Sequence, residues 1–73
     1  MHKKVNYIRP THLCRITGEK VEVLRYGVNK GTIPNSPFVI YYDHKGEYHD
    51  TDKNIGDFIE LRDDEKIITK VGG

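Results

Sequence analysis

The stretch Thr11-His12-Leu13-Cys14-Arg15-Ile16-Thr17-Gly18-Glu19-Lys20-Val21-Glu22-Val23-Leu24-Arg25-Tyr26 decides the fold class. Two runs rich in apolar and β-branched residues flank Gly18-Glu19. A Gly-X pair suits a type II′ turn, because glycine takes the positive φ of its first central position without steric cost. Counting outward from that turn, Thr17 faces Lys20, Ile16 faces Val21, Arg15 faces Glu22, Cys14 faces Val23 and Leu13 faces Leu24. One face then collects Cys14, Ile16, Val21 and Val23, while the other pairs Arg15 with Glu22. Turn chemistry and face segregation agree on a hairpin.

Downstream, residues 27–37 hold Gly27, Gly31, Pro34 and Pro37, which exclude a regular helix and mark a long Gly/Pro loop of the kind that often binds. Phe38-Val39-Ile40-Tyr41-Tyr42 is a strand by composition. Asp43-His44-Lys45-Gly46 follows as a type I turn with Gly46 left-handed, and residues 47–51 return. With Asp43 opposite Glu47, Tyr42 faces Tyr48. Phe38, Ile40, Tyr42 and Tyr48 then make the better core face, and Val39, Tyr41, His49 and Thr51 the exposed one. Residues 55–61 suit either one helical turn or a strand, residues 62–66 a polar turn, and residues 67–71 a last strand paired with the segment before it. An N-terminal arm, residues 1–10, adds a short edge strand over residues 5–8 that Pro10 ends.

This order of elements predicts one all-β domain spanning residues 1–73, a small antiparallel barrel or rolled sheet of five to six short strands. A valine-rich hairpin, a long Gly/Pro loop, a Tyr-rich strand, a glycine turn and the closing Phe58-Ile59-Glu60-Leu61 together resemble the SH3-like barrels over most of residues 11–61. That resemblance implies binding of peptides, proteins or nucleic acids through loops and exposed aromatics. The chain has no tryptophan and no Ala-Leu-Tyr-type motif, so the proline-peptide groove of that class is not expected. The tail, Ile67-Ile68-Thr69-Lys70-Val71-Gly72-Gly73, with the acidic turn before it, resembles the diglycine-ended sulfur carriers and ubiquitin-like proteins. It implies a carrier conjugated through Gly73 on a β-grasp-like α+β fold, with residues 72–73 as a flexible tail. Residues 27–54 offer no helix for that alternative.

At 73 residues, a chain buries only about 60% of its unfolded surface, which leaves little volume for a deep substrate cleft. No phosphate loop, serine elbow or catalytic carboxylate pair is present, so no enzyme activity and no cofactor are expected. Cys14 is the only cysteine, which excludes an internal disulfide and a multi-cysteine zinc knuckle and suits a reduced, cytoplasmic compartment. No stretch reaches the length of a membrane span, so no membrane contact is expected.

Charge divides along the chain. Residues 1–36 carry a balance of +5 and residues 37–73 a balance of −4, within a formal net charge of +1. That polarity predicts a surface with one basic and one acidic end, which would also permit a homodimer or head-to-tail self-association. Arg15, Lys20, Arg25 and Lys30 are the contacts if the partner is anionic or a nucleic acid. The run from Asp50 to Glu60 resembles an EF-hand loop at Asp50, Asp52 and Asn54. Ile55 takes the glycine position, Gly56 comes one residue late and no helix enters, so a polar turn is the better reading and calcium a minor alternative. A transition-metal site using His44 or His49 has no forced convergence, and no metal is expected. Cys14 on the apolar face reads as an inert thiol. The reading is a small non-catalytic binding or inhibitory module for a protein partner, in the style of a phage or mobile-element accessory protein. Tyr41, His49, Val39, Asn29 and Ile33 are its contact residues. A nucleic-acid-binding barrel and a diglycine carrier are the alternatives.

Overall fold

The polypeptide between Cys14 and Lys20 turns more widely than a two-residue hairpin. In the computed structural model, which describes residues 4–31 and 35–71, β2 (His12–Cys14) pairs antiparallel with β3 (Lys20–Asn29), His12 facing Val21 and Leu13 facing Lys20. The Cys14 N–H bonds Glu19 O at 2.9 Å and the Gly18 N–H bonds Cys14 O at 2.8 Å, closing a four-residue loop with Gly18 at φ 75°. Two bonds hold residues 15–17 off the expected ladder. Arg15 N–H donates to Asp57 O on the other side of β2, and Glu19 N–H donates to Thr17 Oγ1. The register therefore differs from the expected one by four residues. An even offset preserves which side chains share a face, so Cys14 and Val21 still point inward. Ile16 leaves the core for the loop and is 74% exposed.

The second hairpin has the expected register. β4 (Ser36–Tyr42) pairs with β5 (Tyr48–Thr51), with Tyr41 facing His49 and Tyr42 facing Tyr48. Asp43 N–H bonds Glu47 O, and Gly46 sits at φ 82°. Gly46 is also pressed against the N-terminal segment: Val5 N–H bonds its carbonyl at 2.9 Å, and a Cβ there would collide with Val5 O.

The face assignment of β4 is the reverse of the expected one. Val39 is fully buried and Tyr41 is 8% exposed, whereas Phe38, Ile40, Tyr42 and Tyr48 are half-buried. The core is Cys14, Val21, Val39, Tyr41 and Phe58, with Val23 and Ile55 packed against it. The 3-10 turn Ile55–Asp57 and β6 (Phe58–Glu60) bring Phe58 onto the odd-numbered face, where its ring lies 5.3 Å from that of Tyr41. The segment 55–61 is thus a helical turn followed by a strand, and β6 pairs with β2 instead of with the last strand.

Both ends of the expected loop over residues 27–37, residues 27–29 and 36–37, are strand. β3 runs through Gly27 opposite Phe38, Val28 opposite Pro37 and Asn29 opposite Ser36. Pro37 lies beyond the reach of β5, whose pairing begins at Val39 opposite Thr51, so its missing N–H costs the ladder nothing on that side. Residues 32–34, which include Ile33, and residues 72–73, the diglycine, lie outside the described residues.

The principal sheet has the order β5-β4-β3-β2-β6. A second, two-stranded sheet pairs β1 (Tyr7–Ile8) with β7 (Thr69–Lys70), so the edge strand expected near residues 5–8 is present and the last strand is its partner. A second 3-10 turn, Asp63–Glu65, takes the place of the polar turn. The fold is all-β with two antiparallel sheets and no α-helix among the described residues, and the sheets do not close into a barrel. The helix that a β-grasp arrangement needs is absent among the described residues. None of their helices is long and apolar enough to cross a membrane.

Candidate functional site

Two places on this framework bring functional side chains together. The first arises where β2 leaves β3. Past the pair His12–Val21, Thr11 Oγ1 accepts the Val23 N–H at 2.9 Å, and among the described residues no strand continues along that edge. The β3–β4 register then shifts between Val23 and Arg25, leaving Leu24 as the extra residue of a bulge. A bulge adds one residue to one strand and so changes which residues share a face. Val21 and Val23 lie on the core side before it; Tyr26 and Val28, opposite Val39 and Pro37, lie there after it. The core does not extend that far, and Leu24, Tyr26 and Val28 are 47%, 54% and 49% exposed.

The result is a groove of about 480 Å³ between the vacated edge of β3 (Val23, Leu24, Tyr26) and a polar wall that includes His12, Glu60 and Lys66. Lys66 Nζ holds Glu60 Oε2 at 3.0 Å, and Thr11 Oγ1 lies 2.7 Å from His12 Nδ1. Partial burial lowers the His12 imidazole below its ordinary pKa; Glu60 draws it back up and Lys66 pushes it further down. His12 therefore favours its neutral form in the groove wall.

The second place lies at the end of the β4–β5 hairpin, beside a cavity of about 180 Å³ lined by Cys14, Tyr41, Asp43, His44, His49 and Lys53 among others. Asp43 Oδ1 accepts the N–H groups of Lys45 and Glu47 at 2.8 and 3.0 Å, while Oδ2 lies 2.8 Å from His49 Nε2. Partial burial would raise the Asp43 carboxyl, but the hydrogen bonds from His49, Glu47 and Lys45 outweigh it and hold the group below the usual carboxylate range. The His49 ring stacks on Tyr41 with centroids 5.0 Å apart and planes 20° from parallel. Burial raises the Tyr41 hydroxyl, and the neighbouring Cys14 and Asp43 add to it. At Cys14 burial opposes ionisation, yet hydrogen bonds from the Thr17 backbone and side chain and the Ile16 backbone, with the charge of Lys53, bring the thiol below its ordinary pKa. His44 Nδ1 contacts Glu19 Oε2 across the cavity mouth.

The expected contact residues separate on this framework. Val39 and Tyr41 belong to the core, so neither offers an exposed sheet surface; His49 is half-buried beside Tyr41. Asn29 ends β3 and is exposed. The four cations do not form a patch. Lys20 and Lys30 bracket the ten residues of β3, a run of roughly 30 Å at strand rise. Arg15 sits in the first loop with its guanidinium near Gly56 O at 3.4 Å. Arg25 lies over the Phe38 ring at 5.8 Å and lines a pocket with Asp50 and Asp52. At the calcium alternative, Asn54 Oδ1 accepts the Gly56 N–H and caps the 3-10 turn.

Sequence reasoning missed Leu24, Tyr26 and Val28 as a surface and Glu47 as a neighbour of His49. Their signals were present. Leu24, Tyr26 and Val28 alternate through Gly27, and positions 43, 47 and 49 share a hairpin face once Asp43 opposes Glu47. Comparison with protein-family models, with curated proteins and with solved structures finds no match for the chain.

Proposed function

We propose that the chain is a small non-catalytic binding module that takes an extended segment of a protein partner along the open edge of β3. The observation that carries this reading is the groove at Val23, Leu24 and Tyr26, where a strand edge with no neighbouring strand among the described residues runs beside half-exposed apolar side chains. An exposed edge supplies main-chain hydrogen bonds to an added strand, and alternate side chains supply the specificity. Full burial of an aliphatic or aromatic side chain is worth about 1.5–3 kcal/mol, so covering the exposed halves of Leu24, Tyr26 and Val28 offers about 1 kcal/mol each. The connectivity supports the SH3-like reading: four strands in a meander, then a turn, then a fifth strand that returns to pair with the first. Anionic partners find less here, because Arg25 shares its pocket with Asp50 and Asp52.

The test is capture of interacting molecules from the native host by the wild-type chain, by Tyr26→Ala and by a chain lacking Gly72 and Gly73. A protein that stays bound in high salt, is lost with Tyr26→Ala and survives removal of the diglycine supports the reading. Capture that nuclease or added salt abolishes would establish the nucleic-acid alternative. Loss on deleting Gly72 and Gly73 alone would establish the carrier.

A further inference from the structure

We propose that Asp43, Glu47 and His49 form a binding site for a divalent transition-metal ion of the zinc class. One ligand atom from each of the three residues lies within 4.8 Å of the other two. The convergence follows from the hairpin. Asp43 opposes Glu47, and His49 stands two residues further along the same strand, so all three side chains leave one face of the sheet at its end.

Two of the three donors are already held in place. The backbone bonds from Lys45 and Glu47 both go to Oδ1 of Asp43, which leaves Oδ2 directed at His49 Nε2. The imidazole plane is set independently, by stacking on the buried Tyr41 ring. Fixing a ligand's orientation through an outer contact is how protein sites raise metal affinity. Glu47 is exposed, and its side chain swings in at little cost.

Dimensions suit a small ion. Zinc bonds of about 2.0–2.1 Å place neighbouring tetrahedral donors roughly 3.3 Å apart. His49 Nε2 and Asp43 Oδ2 stand 2.8 Å apart, so they need open by only about half an ångström for the ion to replace the proton they share. The donor set fixes the class. One imidazole nitrogen with two carboxylates suits zinc, cobalt or nickel; calcium and magnesium prefer oxygen throughout. Three protein ligands leave a fourth position for water or for a group from a partner.

The experiment is calorimetric titration of chelator-treated full-length chain with zinc chloride, with the His49 imidazole resonances followed by NMR. Saturable one-to-one binding that shifts those resonances supports the site. It must also weaken by at least tenfold in both His49→Ala and Glu47→Gln. That loss matches what removal of even an outer-shell partner typically costs, about 10–100-fold. Glu47→Gln guards against loss of fold, because Glu47 is exposed and its pairing is through the main chain. His44→Ala, whose imidazole is turned to Glu19, leaves the affinity unchanged. The proposal is overturned by the absence of saturable binding, by a smaller weakening in either variant, or by an equal weakening in His44→Ala.

Discussion

Two alanine substitutions, Val39→Ala and Ile16→Ala, separate the observed packing from the one that the sequence alone suggests. Turn chemistry at Gly18-Glu19 places Ile16 in the core beside Val21, and strand alternation places Val39 on the outside. In the fold Val39 has no exposed surface and Ile16 is 74% exposed. Val39→Ala removes two methyl groups from the centre of the cluster that holds Val21, Tyr41 and Phe58. At about 0.8 kcal/mol per buried methylene, the transfer loss is about 1.6 kcal/mol. The unfilled space adds about 1 kcal/mol, for a total of about 2–3 kcal/mol. In a domain this small 1 kcal/mol moves the melting temperature by about 4–8 °C, so Val39→Ala should melt about 10–20 °C lower. Ile16→Ala should stay within about 0.5 kcal/mol of the parent, as exposed substitutions do. Urea unfolding followed by circular dichroism or by tyrosine fluorescence measures both, since the chain has five tyrosines and no tryptophan. An Ile16→Ala cost equal to that of Val39→Ala would refute the four-residue loop and restore the two-residue turn.

The remaining predictions concern ionisation. His12 and Asp43 both titrate below their ordinary values in the folded chain, so the unfolded chain binds more protons and each group's contribution is present at high pH. Stability should fall as pH drops below 6.5 for His12 and again below 3.8 for Asp43. Melting curves across that range check it, and Asp43→Asn should reduce the second decline while leaving the first; Glu60, held below its ordinary value by Lys66, keeps a share of it. Alkylation of Cys14 should show a pH midpoint below that of a free thiol, about 8.5. Thr17→Val should raise the midpoint by deleting a hydroxyl donor; an unmoved midpoint would show that Thr17 does not act on the thiol.

Local chemistry was legible where one short segment decided the outcome. The Asp43-to-Gly46 turn set the β4–β5 register because Asp43 accepts backbone N–H groups within the turn and Gly46 takes positive φ. The β2–β3 hairpin was legible as a hairpin, but its loop length was not. The bond from Arg15 N–H to Asp57 O joins residues far apart in sequence and leaves no local trace. The inner face of β4 was misread because both of its faces carry apolar residues, and alternation selects a face only where the opposite one is polar. The pairings β2–β6 and β1–β7 likewise depend on distant partners. At the far end of the β3–β4 pairing, Gly27 and Pro37 are breakers by composition, yet they sit where β3 and β4 have outlived their flanking strands, so neither disturbs a full ladder.

The division of charge along the sequence has a different meaning in the folded chain. Hairpins place residues that are distant in sequence side by side, so some charges of the basic half meet charges of the acidic half. Arg25 from the basic half lines a pocket with Asp50 and Asp52 from the acidic half. Glu19 of the first half meets His44 of the second. Lys66 lies between Glu60 and Asp63. Charges mixed on this scale lie within a Debye length, about 8–10 Å at ordinary ionic strength, and cancel at range. Beyond the reach of β2, Leu24, Tyr26 and Val28 place three half-exposed apolar side chains along β3, which is the surface that the proposed docking would cover.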